Sequence, residues 1–357
     1  MADENKKKSR LFDLPQTKGM FQIRGIVTGT EKDNFYKETK TKTGKIMRMV
    51  NFGVEYEEGS TLYINLNGME LDNVYFSKKA ENPGEKAETT PVPWSQRFTY
   101  NREGFRLIGK NIGVKKIINE SGNPVNDKKI LTDFDACKEI KDNLKDGVSV
   151  FIKGNVEYSS YTDDKGTKRT SVKLVPSQIS LCGDIDFKDE SYETKNDFNQ
   201  VIVFVGVGQE RENDKPTGRY NVQAKIVTYN NIEDAEFLIE NEKLANKFRK
   251  SLKPYNAIRV NGHMITSTQT ETVEDDDNWG EEDSLTKVYA PAKREFIVTG
   301  AAGSTLDTTI YTEENVSEAI MKINNAKRAE SSFGDEDNEG WGTSDKNISD
   351  EDDDAWS

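Results

Sequence analysis

A thirteen-residue segment is present in this chain in two similar copies, and this repeat constrains the fold more than any other feature. Residues 144–156 read LKDGVSVFIKGNV, residues 252–264 read LKPYNAIRVNGHM, and the two align without a gap. In each copy apolar and polar residues alternate, which predicts a half-buried strand. A shared glycine, Gly154 or Gly262, interrupts the strand where a bulge or sharp bend is expected. The repeat therefore predicts two related β domains.

Each copy follows a predicted helix and is matched by a similar opening strand far upstream. The apolar stripes of the two helices have helical spacing: they comprise Phe134, Cys137, Ile140 and Leu144 in one helix, and Leu244, Phe248 and Leu252 in the other. The opening strands are 21–29 and 201–209. The OB-fold has the same order of elements: three strands, a helix, a glycine-bent strand and a final strand. The predicted fold class is mainly β, with tandem OB-fold barrels, short helices and a disordered acidic C-terminal tail; two unrelated β domains remain the alternative.

The pattern divides the chain into four parts. They are a basic disordered arm at 1–19, a first barrel at 20–184 with an insert at about 72–131, a second barrel at 199–330 with an acidic loop at 271–284, and an acidic disordered tail at 331–357. A helix from Glu313 to Arg328 ends the second barrel. Its apolar stripe, which comprises Val316, Ala319, Ile320 and Ile323, is expected to pack on that barrel.

Acidic residues are concentrated in two segments. Residues 334–357 contain ten acids and one base, and residues 271–284 contain eight acids and no base. The whole chain has a net charge of −13, so the remainder carries +4. Because a basic body with separate acidic arms does not repel phosphate as a uniformly acidic surface does, the low pI does not exclude nucleic-acid binding. The simpler interpretation is that the acidic runs only aid solubility.

Composition argues against several classes of protein. The single histidine, His263, leaves little for Ser-His, Cys-His or His-metal sites, and no Gly-rich nucleotide-binding loop is present. Cys137 and Cys182 form no CxxC pair, which argues against a zinc ribbon. We expect no enzyme activity, cofactor or metal, although a carboxylate-metal nuclease stays formally open. Without an apolar stretch long enough to span a membrane, the chain is expected in the cytoplasm.

The predicted second and third strands of the first barrel have a polar outer face. In OB-folds this face and its flanking loops bind nucleic acid. The predicted contacts on the face are Met49, Asn51, Tyr63 and Asn65, beside Met47. The loop between the first two strands adds Phe35, Tyr36, Lys37, Lys42 and Lys45, and the loop between the last two adds Lys165, Lys168 and Arg169. The alternative for such lysine-rich loops is a solvated turn.

Further candidates lie in the insert and in the second barrel. Basic and aromatic residues alternate in the insert around Arg97 and Arg102, an arrangement that suits a single strand with exposed phosphates and bases. The alternative there is a small satellite core beneath a hairpin. The second barrel offers Arg219, Tyr220 and Lys225, with the alternative that this barrel binds protein.

The segment from Ala235, AEFLIENEKLANKFRKSLKPYNAIRVNGHM, resembles bacterial and phage single-stranded DNA-binding proteins. In that superfamily a third strand leads to a short leucine-containing helix, a lysine-rich turn and a VxVxG strand. The resemblance covers these 30 residues well, the first barrel partly and the inserts not at all. It implies a non-enzymatic protein of phage type that binds single-stranded DNA without sequence preference during replication, recombination or repair.

The C-terminus is similar to the acidic tails of the same superfamily, which end near an aromatic residue and dock replication and repair proteins. The resemblance implies a partner-binding role for Asp352, Asp353, Asp354 and Trp356. The sequence ends in DEDDDAWS instead of the Pro-Phe ending of the common bacterial tail. The rival hypothesis is a protein-interaction or structural module whose acidic segments mimic DNA.

Overall fold

The computed structural model describes residues 10–80, 82, 85–162, 167–212, 214–267, 270–272, 287–289 and 293–332. They form two compact units. The N-terminal barrel unit comprises 20–157 and 173–197, and the C-terminal barrel unit comprises the described parts of 1–19, 158–172 and 198–357. The fold is mainly β, as the sequence predicts. Within the described residues, no helix has the length and apolarity needed to cross a membrane.

The N-terminal barrel unit contains the first set of strands and one α-helix. In chain order these are β1 (Gly19–Thr28), β2 (Tyr36–Lys40), β3 (Ile46–Glu57), β4 (Ser60–Met69), β5 (Asn73–Lys78), β6 (Glu88–Pro93), β7 (Phe105–Leu107), β8 (Lys110–Gly113), β9 (Lys116–Ile118), β10 (Pro124–Asn126), β11 (Lys129–Leu131), α1 (Asp133–Asn143), β12 (Ser149–Thr162) and β13 (Lys168–Leu181), with short 3-10 turns at Asp33–Phe35 and Trp94–Gln96. The outer ends of β12 and β13 fall in the C-terminal barrel unit.

Strand pairing closes this unit into an OB-fold barrel. β1 runs antiparallel to β3 and to β12, and β3 runs antiparallel to β4. β13 lies parallel to β4, with Leu174 opposite Ile64, and also pairs with β12. The helix α1 lies between the third and fourth barrel strands in sequence, as the fold requires. Alternate residues of β3 and β4 are fully buried, which confirms the predicted core face; they are Val50, Phe52, Val54, Leu62, Ile64 and Leu66.

The C-terminal barrel unit repeats the same topology. Its elements are β14 (Lys195–Glu212), β15 (Lys215–Val227), β16 (Ile232–Ile239), α2 (Glu242–Ser251), β17 (Ala257–Ser267), β18 (Thr270–Thr272), β19 (Lys287–Tyr289), β20 (Lys293–Asp307) and α3 (Glu313–Ser332). β15 is antiparallel to β14 and β16, β20 is parallel to β16 and antiparallel to β17, and β14 also pairs with β17. The predicted tandem OB-folds are therefore confirmed.

The turn after the helix has a left-handed residue at the same position in both barrels. Gly147 and Tyr255, which align, follow α1 and α2 with positive φ angles of 81° and 68°. Non-glycine residues rarely adopt this left-handed conformation. Because Tyr255 adopts it despite a bulky side chain, the turn requires this conformation. The register of β17 shifts between Asn261 and Gly262, as the predicted glycine bulge requires.

The segment before β1 packs on the C-terminal barrel unit. Phe12 and Leu14 are buried in one cluster with Tyr311 and the helix α3, and the backbone N–H of Thr17 donates to the carbonyl of Val227 at 2.9 Å. The prediction of a disordered arm is wrong for residues 10–19, because Phe12 and Leu14 alternate with the exposed Leu11, Asp13 and Pro15 and so present one buried apolar edge. Residues 1–9 lie outside the described part of the chain.

The helix α3 covers the same cluster. Val316, Ala319 and Ile323 are buried there, and Ile320 packs against them partly exposed. The predicted stripe is confirmed. The hydroxyl of Tyr311 donates to the carbonyl of Pro15 at 3.0 Å, which ties the segment before α3 to the N-terminal segment.

The insert of the first barrel is largely ordered. β5 pairs with β6 and β7, and Val74, Phe76 and Val92 form a small core. Trp94, Tyr100, Phe105 and Leu107 pack against this core, so the satellite-core alternative is correct for most of the aromatic residues. The proline-containing strand β6 lies at the edge of this small sheet, where proline is tolerated.

Candidate nucleic-acid interface

The outer face of β3 and β4 carries the polar and soft apolar side chains that the sequence predicts there. Met49, Asn51, Tyr63 and Asn65 are all partly exposed, as is the neighbouring Met47. Asn51 lies opposite Asn65, and the Asn65 side-chain amide donates to Asn51 Oδ1 at 2.9 Å. Tyr63 lies opposite Gly53, which has no side chain of its own to cover the ring.

The predicted loop between the first two barrel strands is a β-hairpin that lengthens this face. β2 pairs with the start of β3, and Lys37 lies directly opposite Met49. Since directly opposite residues project from the same side of a sheet, Lys37 shares the outer face with Met49. Lys40 and Lys42 lie at the end of the hairpin and are exposed. Within the described residues, these three lysines have no ion-pair partner.

The other face of the hairpin packs on α1, and it holds two of the predicted contacts. Phe35 is only 6% exposed, so it is a core residue and its predicted stacking role is wrong. The Tyr36 hydroxyl donates to Glu38 Oε2 at 2.8 Å, and Arg48 Nε donates to the same oxygen at 2.8 Å. Burial, together with this hydrogen bond, raises the pKa of Tyr36 to about 12. Tyr36 thus lies across the sheet from Lys37, in a structural network.

Two further predicted cations of the N-terminal barrel unit are held by acids. Arg97 donates to Asp135 through Nε at 2.8 Å and Nη2 at 3.2 Å, and its guanidinium lies 4.2 Å from the Trp94 ring centroid. This side chain is mostly buried, so the prediction of a phosphate contact is wrong. Lys45 Nζ lies 3.0 Å from Asp72. The Arg97 contacts tie the insert to the start of α1, whereas the Lys45 pair is exposed, so the predicted phosphate contact of Lys45 stays a prediction.

Arg102, the other predicted cation of the insert, is exposed. Its guanidinium lies 4.3 Å from the Phe105 ring and 3.3 Å from a Glu88 oxygen, and more than half of both side chains is exposed. An exposed ion pair of this kind is weak, so phosphate can compete for Arg102. Its predicted contact with nucleic acid stays a prediction.

The second lysine-rich loop of the first barrel belongs to the C-terminal barrel unit. Lys165 lies outside the described residues, and for Lys168 only the backbone in β13 is described. Arg169 is exposed. Nearby, Arg294 Nη1 donates to the carbonyl of Val172 at 2.9 Å. The prediction that this loop and the β2–β3 hairpin flank one groove stays a prediction.

The predicted cations of the second barrel are neutralised. Arg219 Nε lies 2.7 Å from Glu210 Oε2, and its Nη1 lies 2.9 Å from Glu295 Oε2. Lys225 Nζ lies 2.7 Å from Asp234. The two carboxylates on Arg219 overturn the prediction that it is available to phosphate. Lys225 is paired with a largely exposed carboxylate, so its predicted contact stays a prediction. Tyr220 is partly exposed, with the Arg249 guanidinium 5.9 Å from its ring centroid.

The exposed side of α2 carries basic residues that the sequence analysis did not select. Lys243, Lys247 and Lys250 recur at spacings of four and three, which places them on one face of the helix. All three are exposed. Their spacing within a helix that the sequence already predicts was the signal that could have found them.

The tail residues Asp352, Asp353, Asp354 and Trp356 lie outside the described part of the chain, as does most of the acidic loop. Among the residues that the structure describes, no three histidine, cysteine, aspartate or glutamate side chains converge in a group that could hold a metal ion.

The strand pairing and the polar outer face define a protein with two OB-fold barrels. The chain belongs to the YorF family, whose model matches residues 79–336. No curated protein matches the chain.

Several solved structures resemble the chain at low identity. The wild-type single-stranded DNA binding protein from Thermus aquaticus is 11% identical, over 81% of this chain and 93% of that one, with a TM-score of 0.38. A deletion mutant of the same protein is 10% identical, over 80% and 94%, with a TM-score of 0.38. A replication protein A heterotrimer bound to single-stranded DNA is 11% identical, over 88% and 97%, with a TM-score of 0.19. Since all these TM-scores are below 0.5, the fold assignment rests on the strand pairing.

Proposed function

We propose that this protein binds single-stranded DNA, without preference for base sequence, on the outer face of its N-terminal barrel. The observation that carries the proposal is the position of Lys37 on the same face as Met49, Asn51 and Tyr63. A cation and an aromatic ring on one face of a sheet can contact the phosphates and a base of the same strand. This face is also the usual ligand surface of an OB-fold.

The contrast in charge between the two barrels supports the choice of the N-terminal barrel. On the N-terminal barrel, Lys37, Lys40 and Lys42 have no acidic partner among the described residues. On the corresponding strands of the C-terminal barrel, Arg219 and Lys225 are paired. Arg219 gains little from phosphate, because it must first give up two partly or fully buried carboxylates.

The first test is the substitution Tyr63→Ala, measured by fluorescence titration with oligo(dT). Stacking contributes about 1–3 kcal/mol per base, so we expect affinity to fall roughly tenfold. Tyr75→Ala is the control, since Tyr75 is 47% exposed but lies on β5, in a different sheet from β3 and β4. Equal affinities of the two variants would remove Tyr63 from the site.

The second test replaces Lys37, Lys40 and Lys42 together by alanine. Each lost phosphate contact should reduce the slope of log affinity against log salt by about 0.7, so the triple variant should lose about 2 in slope. Lys138→Ala is the control, because Lys138 is paired with Asp142 at 3.0 Å. A wild-type affinity that does not respond to salt would favour the protein-interaction module instead.

We further propose that the acidic C-terminal residues recruit proteins of phage DNA replication, recombination or repair in the bacterial cytoplasm. The support is the combination of ten acids with Trp341 and Trp356 in residues 334–357, since a tract that only solvates gains nothing from indole rings. Deletion of these residues should abolish capture of a purified replication or recombination protein, and it should tighten oligo(dT) binding because an acidic competitor is removed. Loss of oligo(dT) binding in the deletion variant would contradict this division of roles.

A further inference from the structure

We infer that the exposed face of α2, formed by Lys243, Lys247 and Lys250, is a second phosphate-binding surface for single-stranded nucleic acid. The inference rests on the proposed function, because it assigns to the C-terminal barrel a contact with the same ligand class. It places that contact on the helix, away from the strand face where Arg219 and Lys225 are neutralised.

The repeat supplies an internal comparison for this helix. Extending the alignment of Leu144 with Leu252 backwards without a gap superposes the buried residues of the two helices, Cys137 on Ala245 and Ile140 on Phe248. The same alignment places Lys243, Lys247 and Lys250 on Asp135, Glu139 and Asp142. The same face is therefore acidic in one barrel and basic in the other.

In the N-terminal barrel these acids are all neutralised. Asp135 pairs with Arg97 at 2.8 Å, Glu139 with Lys129 at 2.9 Å and Asp142 with Lys138 at 3.0 Å. That face of α1 is thus used for contacts within the protein and within its own helix, and it presents little net charge to a ligand.

In the C-terminal barrel the corresponding lysines are not neutralised. Within the described residues, none of Lys243, Lys247 and Lys250 has an ion-pair partner. All three are exposed, on the side of α2 opposite its buried residues Ala245 and Phe248.

The spacing of the lysines indicates a polyanionic ligand. Like charges four or three residues apart on a helix repel one another and destabilise it. The ordinary exposed face of an amphipathic helix avoids this by mixing signs, as α1 does with Lys138 and Asp142. A run of phosphates relieves the repulsion at all three positions at once. Arg249, on the flank of the same helix and 5.9 Å from the Tyr220 ring, extends the basic surface towards an aromatic side chain.

The test is a full-length variant with Lys243, Lys247 and Lys250 all replaced by alanine. Titration with an oligo(dT) of about 40 nucleotides, long enough for more than one barrel, should show a log-log salt slope reduced by about 2. A matched variant with arginine at the same three positions keeps the charge and should keep the wild-type slope. Without DNA, the alanine variant should melt at the wild-type temperature or above it, because like-charge repulsion is removed.

The outcomes separate this inference from the proposed function. If the wild-type protein does not bind oligo(dT), both fail. If the wild-type protein binds and the alanine variant has the same slope, the inference alone is overturned. An alanine variant that binds oligo(dT) more tightly overturns it as well, because the lysines would then oppose DNA binding instead of contributing to it.

Discussion

Gly154 and Gly262 occupy the same position in their two barrels, against the backbone of the fifth barrel strand. A Cβ atom at Gly154 would overlap the carbonyl oxygen of Val175 on β13, and one at Gly262 would overlap that of Ile297 on β20. The shared glycine of the repeat is therefore required by close approach of two strands. Because a strand backbone cannot move aside as a flexible side chain can, any larger residue must distort the barrel.

Gly154→Ala and Gly262→Ala should each destabilise the protein. Overpacking of a closely packed site costs about 1–3 kcal/mol, and a clash with backbone belongs at the upper end of this range. Urea unfolding at neutral pH measures the loss. Gly206→Ala is the control, since nothing lies within 4 Å of the place its Cβ would take, and it should change stability by much less. A Gly262→Ala variant as stable as Gly206→Ala would contradict the packing argument.

Phe12→Ala should destabilise the C-terminal barrel unit. The ring is 3% exposed, in the cluster that includes Tyr311 and Val316, and truncation of a buried phenylalanine costs about 3–5 kcal/mol. Thermal unfolding measures the effect. Leu11→Ala is a neighbouring control, because Leu11 is 37% exposed. If both variants unfolded at the wild-type temperature, the N-terminal segment would not be part of this core in solution.

The barrels were predictable from sequence because their cores follow local periods. Val50, Phe52 and Val54 alternate within a single strand, and the two helices carry stripes with helical spacing. The repeated segment indicated that the two domains are related. Each of these signals lies within a short window of the chain.

The candidate site was less predictable, because the acids that pair with the predicted cations are distant from them in sequence. Arg97 is bonded to Asp135, 38 residues away, and Arg219 to Glu295, 76 residues away. Composition shows a basic side chain but not the acid that neutralises it. Phe35 likewise looked like an exposed loop residue, but it is 6% exposed, in a 3-10 turn that leads into the hairpin β2–β3.

Arg97→Ala should reduce stability more than it reduces DNA binding. The substitution leaves the largely buried Asp135 with the Thr132 hydroxyl as a remaining partner, and hydrogen bonds to charged groups contribute about 1.5–3 kcal/mol. Urea unfolding and oligo(dT) titration on the same preparation separate the two effects. Arg102→Ala, which breaks only an exposed pair, should leave stability nearly unchanged. A weakened affinity in an Arg97→Ala variant of wild-type stability would restore Arg97 to the DNA site.

Acid should destabilise the protein partly through Glu210. Partial burial acts to raise the pKa of this carboxyl, but hydrogen bonds from Arg219 at 2.7 Å and Thr217 at 2.6 Å outweigh burial and lower it. The Glu210 carboxyl therefore binds its proton less tightly in the folded state than in the unfolded chain. The stabilisation is present above the ordinary glutamate pKa and is lost as the pH falls through the lowered one.

Glu210→Gln removes this titration while keeping a side-chain oxygen for Arg219. The variant should be less stable than the wild type at neutral pH, and its urea midpoint should fall less between about pH 6 and pH 3. Glu212→Gln, at an exposed glutamate two residues along the same strand, should follow the wild-type pH profile. If Glu210→Gln and the wild type lost stability in parallel, the Arg219 network would not be the source of the acid sensitivity, and other carboxylates would have to carry it.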